Sequence, residues 1–187
     1  MKNQKLRTMV QCAILVAMGT VLSFLKLYEA PLGGSVTILS MLPICMAGLM
    51  HGPKWGFGTA FVYSVIQLLV SNCFAWGLTP TVLVICILFD YIVAFTVLGI
   101  TGFFKDQSRT FMCLGVLLAL AWRMACHYFT GVTIWESSMP DDWNNVWLYS
   151  LAYNGFYMVP EMVFTMIGTV VLTSIPQFNK LMKQAKE

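Results

Sequence analysis

Charge is scarce in this sequence. Lysine, arginine, aspartate and glutamate make up 10% of its 187 residues, against roughly a quarter in a typical soluble domain. Hydrophobic residues make up 58%, more apolar surface than a soluble chain of this length can bury. These proportions exclude a soluble domain and point to an integral membrane protein. Histidine is rarer still, with two in the chain. No H-E-x-x-H or G-x-S-x-G is present, and two distant histidines exclude a metal-protease site. No G-x-x-x-x-G-K-[ST] occurs, so the chain does not hydrolyse nucleotide itself. The six cysteines, Cys12, Cys45, Cys73, Cys86, Cys113 and Cys126, form no C-x-x-C pair. They read as small apolar packing residues rather than as a disulfide framework or a metal site. Internal repeats and low-complexity stretches are also missing, and with them the duplicated halves of many secondary transporters. No cofactor is expected.

What the chain does have is a series of apolar runs punctuated by turn formers. Six spans are expected, at about 8–27, 36–50, 55–73, 80–100, 110–129 and 147–175, within a single membrane domain covering 1–187. The first run follows basic residues as in a signal peptide. It is long and closes on no A-x-A pattern, so it is read as a span. The second is short and contains Pro43, which suggests a tilted or broken helix. His51 falls in the turn His51-Gly-Pro-Lys54 and reads as solvated. Pro160 is expected to bend the sixth span.

The net charge of +3 flanks the runs rather than forming a nucleic-acid patch. With a cytoplasmic N-terminus, Lys2, Lys5, Arg7, Lys54, Lys105, Arg109, Lys180, Lys183 and Lys186 all fall inside. Lys26 falls outside, and Arg123 within the membrane. By the positive-inside rule both termini are then cytoplasmic.

Ionisable groups inside apolar runs are costly and mark functional sites. The stretch from Trp122 to Glu161 holds Arg123, His127, Asn154 and Glu161 among many aromatic residues. In the expected orientation these groups and Asp90 converge on the outer half of the bilayer, below a loop carrying Trp135. Ser150, Asn154, Tyr157 and Glu161 follow i, i+4, i+7, i+11 and share a helix stripe, and Arg123 and His127 share a face. Aromatic faces attract cations, so the mixture suits a small, ring-containing cationic ligand. Simpler roles stand beside this one. Arg123 and Glu161 can neutralise each other between helices, Asp90 and His127 can be satisfied interhelical contacts, and Trp143 and Trp147 can be interfacial anchors. On the first helix, Ala13 and Ala17 form a small-residue stripe that admits another helix, either from this bundle or from a partner.

Three blocks carry a family resemblance: GGSVTILSMLPI at 33–44, FDYIVAFTVLG at 89–99, and CHYFTGVTIW at 126–135 followed by WLYSLAYNGFYMVPE at 147–161. The chain resembles the thiamine-specific S components of energy-coupling-factor vitamin transporters over nearly its whole length. The resemblance implies an all-α bundle of six transmembrane helices with an outward-facing vitamin pocket. It implies substrate capture without catalysis in a prokaryotic plasma membrane. The implied partners, beside membrane lipid, are a membrane coupling protein and two cytoplasmic ATPases, with Ala13 and Ala17 at the contact. Thiamine would be bound by Asp90, Tyr91, His127, Gly131, Trp135, Tyr149 and Asn154. Two positions depart from the family pattern. Asp90 stands where the family has glutamate. The loop after the first helix lacks the family's tryptophan, and Tyr28 is the candidate replacement. The rival readings are an S component for another small heterocycle such as a thiamine precursor, an intramembrane acid–base enzyme using Asp90, His127 and Glu161, and a purely structural subunit.

Overall fold

Long apolar runs in lipid satisfy their backbone groups internally, which selects helices. The computed structural model describes residues 2–31 and 33–184. In chain order its elements are α1 (Lys2–Ser23), a hairpin of β1 (Lys26–Glu29) and β2 (Ser35–Thr37), α2 (Leu42–His51) and α3 (Pro53–Val70). There follow α4 (Pro80–Phe104), α5 (Arg109–Thr133), α6 (Val146–Ser174) and α7 (Pro176–Gln184). The protein is an α-helical integral membrane protein in which five helices, α1, α3, α4, α5 and α6, are long and apolar enough to cross a bilayer.

Residues 36–50, expected as the second span, divide between strand β2 and helix α2. At 10 residues and ~1.5 Å per residue, α2 is about 15 Å long, half of a ~30 Å hydrocarbon core. Every one of its residues is buried. It is therefore a peg in the centre of the bundle rather than a lipid-facing span. Pro43 lies in its first turn, where the missing N–H was without a helical partner anyway. His51, expected to be solvated, is buried at the far end of this peg.

Small residues let neighbouring helices approach the peg and one another. A Cβ on Gly56 would lie 2.9 Å from Gly48 Cα, and one on Gly99 would lie 2.6 Å from the Phe57 backbone. Thr101 adds a hydroxyl bond to the Cys45 carbonyl at 3.0 Å. The segment 26–37, expected as a plain loop, is an antiparallel hairpin. Its tip turns at Gly33, whose φ of 88° is the left-handed conformation that glycine adopts without strain.

Two helices carry irregularities that aim side chains. α4 widens into π-helical turns over Ile87–Val93 and narrows to 3₁₀ geometry over Val97–Phe104. The π turns centre on Asp90. In α6, Pro160 lies inside the helix and leaves the Phe156 carbonyl without its usual donor. The start of α6 is capped by Asn145, whose side-chain oxygen accepts from the Trp147 and Leu148 amides at 2.9 and 3.1 Å.

Along α6, Ser150, Asn154, Tyr157 and Glu161 are all buried, as their shared stripe suggests. On α1, Ala13 and Ala17 are exposed on the outer face, while Cys12, Val16 and Gly19 turn inward. The short α7 folds against the bundle through Phe178 and Met182 and leaves Lys180 exposed. All six cysteines are free. Of the basic residues used to orient the chain, Lys186 lies outside the described residues.

Candidate functional site

A cavity of about 570 Å³ opens at the end of the bundle where α1, α3 and α5 finish and α4 and α6 begin. That volume lies in the usual range for small-molecule sites. Asp90, Tyr91, His127, Gly131, Trp135, Tyr149 and Asn154 all line it, as does Glu161.

Asp90 is its organising group. The π turns present this carboxylate to α5, where Oδ1 accepts from His127 Nδ1 at 3.0 Å and from the Thr130 hydroxyl. Oδ2 accepts from Trp135 Nε1 at 3.2 Å. One carboxylate thus sets the orientation of an imidazole and an indole on the cavity wall. With Nδ1 donating, His127 Nε2 is left as an acceptor, and it is buried with no hydrogen-bond partner among the described residues.

The cavity floor is a separate network. Arg123 Nη1 lies 3.2 Å from Glu161 Oε2 and its guanidinium sits 4.5 Å above the Phe95 ring. Glu161 also accepts from the hydroxyls of Thr37 and Ser40. Strand β2 is thereby tied to α6. Between these two hydroxyls, Leu39 adopts a φ of 60°, a strained conformation for a leucine.

At the mouth Lys26 and Glu29 pair at 2.8 Å. With that pair and Arg123–Glu161 each closed on itself, Asp90 is the lining carboxylate without a lysine or arginine partner. The site thus holds a carboxylate with no lysine or arginine partner beside aromatic faces. Such a site favours a cation.

Several of these lining residues also hold the cavity walls together. The Asn154 side-chain nitrogen donates to the Ser150 carbonyl at 2.9 Å and to the His127 carbonyl at 3.3 Å, and its oxygen accepts from Tyr157 at 2.7 Å. Its amide holds α5 against α6. Gly131 serves the same junction, because a Cβ there would come 3.0 Å from Ser150 Cβ and 3.1 Å from Asn154 Nδ2. Tyr149 packs between Trp143 and Tyr153, at 5.4 and 6.0 Å.

Tyr28 does not replace the absent tryptophan of the first loop. It points away from the cavity and packs edge-on against Phe156 at 5.2 Å. Trp122 and Trp147 are exposed on the outside of the bundle. A tryptophan outside the expected set does line the cavity: Trp76, from the connection between α3 and α4, 5.4 Å from Trp135. Nothing in SNCFAWGLT announces it. Thr130 was findable, lying three residues after His127 on the same helical face.

Residues 9–180 match the thiamine transporter protein family (Thia_YuaJ). The chain belongs to that family. It is 30% identical over 185 residues to the thiamine transporter ThiT of Bacillus subtilis, covering 91% of this chain and 92% of that protein. The thiamine transporter ThiT of Lacticaseibacillus paracasei is 21% identical over 189 residues, covering 94% and 92%. The fold is similar to that of a solved structure of ThiT from Listeria monocytogenes, with a TM-score of 0.72, 22% identity, and 93% and 97% of the two chains covered.

Proposed function

We propose that this chain is the thiamine-binding S component of an energy-coupling-factor uptake transporter, a capture subunit in a bacterial plasma membrane that performs no chemistry on its ligand. The observation that carries the reading is Asp90, a cavity carboxylate that has no lysine or arginine partner and is bonded at once to His127, Thr130 and Trp135. Thiamine carries a permanently positive thiazolium, which Asp90 balances and which stacks on Trp135. Its aminopyrimidine amino group can donate to His127 Nε2, and Tyr91 and Tyr149 offer further walls. Asn154 and Gly131 act one step back, by holding α5 to α6 at the site. Family membership supports thiamine over other heterocycles.

The domain is a single unit spanning 1–187, with the chain passing the membrane six times if α2 and its hairpin count as the second pass. The alternation of helix directions supports this count. It puts the cavity on one face, and Lys54, Lys105, Arg109 and Lys180 on the other. The positive-inside rule makes that basic face cytoplasmic, with both termini. A membrane coupling protein with two cytoplasmic ATPases supplies the energy. The exposed stripe of Ala13 and Ala17 on α1 suits its docking, since small residues let helices meet closely in lipid.

The test is extraction of ligand from protein purified from thiamine-fed cells. Intact thiamine at near one equivalent is the expected result. A cleaved or modified product would favour an intramembrane enzyme, and a neutral heterocycle in its place would defeat the role given to Asp90.

A further inference from the structure

Trp76 lines the cavity but belongs to neither of the packed hydrophobic clusters of the bundle. It follows a short 3₁₀ turn, Cys73–Ala75, anchored by the fully buried Cys73. Its backbone amide is bonded to the Cys73 carbonyl at 3.4 Å, and the turn is closed by Ala75 N–H donating to the Asn72 carbonyl at 2.8 Å. On its other side is Gly77, with a φ of 68° and open space around its Cα. Trp76 is therefore anchored by this turn on one side and followed by a glycine in the left-handed region on the other.

Its ring makes two contacts that bridge opposite sides of the mouth. It meets Trp135 edge to face, with centroids 5.4 Å apart and planes at 79°. Trp135 is itself held by Asp90 at 3.2 Å. The second contact is with the hairpin tip, where a Cβ on Gly33 would lie 2.7 Å from Trp76 Cζ2. Only a residue without a side chain lets the hairpin come down on the indole. Gly34 beside it has the same relation to Tyr157, whose ring a Cβ would meet at 2.5 Å.

We propose that Trp76 is a ligand-contacting residue that forms, with Trp135, an aromatic clamp over the bound cation, latched by Gly33 of the hairpin. The clamp is a specificity determinant for flat cationic ligands, because two indole faces and the Asp90 carboxylate address the same charge. It also sets the rate of escape, since the ligand leaves only after the indole swings off Gly33. This inference rests on the thiamine-binding reading.

Calorimetric titration and stopped-flow release of thiamine from the full chain in detergent test it, with the wild type, Trp76→Ala, Trp76→Phe, Gly33→Ala and the double variant Gly33→Ala/Trp76→Ala. Trp76→Ala is expected to speed release by about tenfold or more with association little changed, as for most interface residues, and Trp76→Phe to fall between. Gly33→Ala is expected to speed release in the wild-type background and to have a clearly smaller effect beside Trp76→Ala, where the clash is gone. Release from Trp76→Ala at the wild-type rate overturns the clamp while leaving thiamine binding standing. Equal effects of Gly33→Ala in both backgrounds overturn the latch. A wild type that does not bind thiamine overturns the functional reading and the clamp with it. If Trp76→Ala is unfolded, Trp76→Phe and Gly33→Ala decide.

Discussion

Asp90 bears more of the site than any other side chain, and its carboxylate is engaged on both oxygens. Asp90→Asn keeps the shape but removes the charge and leaves one end of the amide a donor facing donors. Thiamine affinity is expected to fall about a hundredfold, roughly 2.7 kcal/mol, and the melting temperature to fall modestly because donors then face a donor. Titration beside thermal unfolding checks both. Arg123 and Glu161 behave differently because each neutralises the other in a buried place. Arg123→Met alone leaves a buried carboxylate unpaired and is expected to lose about 3–5 kcal/mol of stability. Arg123→Met with Glu161→Met should recover most of that loss, and thermal unfolding of the two variants decides it. These ionisable residues were legible in the sequence because charge within an apolar run is costly wherever it occurs. Trp76 was not, since a loop aromatic has no periodicity and its partners, Gly33 and Trp135, are remote in the chain. The same blindness led to Tyr28, which lies in the expected loop but turns outward to Phe156.

At the scale of elements, the long helices were legible from their apolar length, and their ends fall within a few residues of the expected spans apart from the start of α1. The second expected span, 36–50, divides between strand β2 and the buried helix α2. A buried peg and a lipid-facing helix present equally apolar sequences, so composition could not say that every residue of Leu42–His51 is buried. Nor does ILFDYIV carry any mark of the π turns that aim Asp90, because a widened turn uses the same residue types as an ordinary one. Packing around the peg gives a prediction of its own. A Cβ on Gly99 would press on the Phe57 backbone, which cannot give way as a flexible side chain does. Gly99→Ala is expected to cost about 1–3 kcal/mol and to lower the melting temperature, although the residue is remote from the cavity. A melting temperature equal to that of the wild type would mean that α3 and α4 are not wedged together there.

For the whole molecule, the ends of α1, α3 and α5 meet the starts of α4 and α6 around one cavity, and Lys54, Lys105, Arg109 and Lys180 lie at or beyond the other ends of the helices. The proposed topology makes the cavity extracellular. Single cysteines introduced at Glu136 and at Lys180, with the native cysteines replaced by alanine, test it in intact cells. An impermeant maleimide is expected to label Glu136→Cys and to leave Lys180→Cys unlabelled until the cells are opened. The reverse pattern would invert the protein in the membrane.

In the proposed function, thiamine enters this cavity and sits among tryptophans around Asp90. Titration of the detergent-purified protein with thiamine, followed by intrinsic tryptophan fluorescence, tests it most directly. Saturable quenching at one site is expected, strongly weakened in Trp135→Ala. Folded wild-type protein whose fluorescence and heat are both unchanged by thiamine would contradict it.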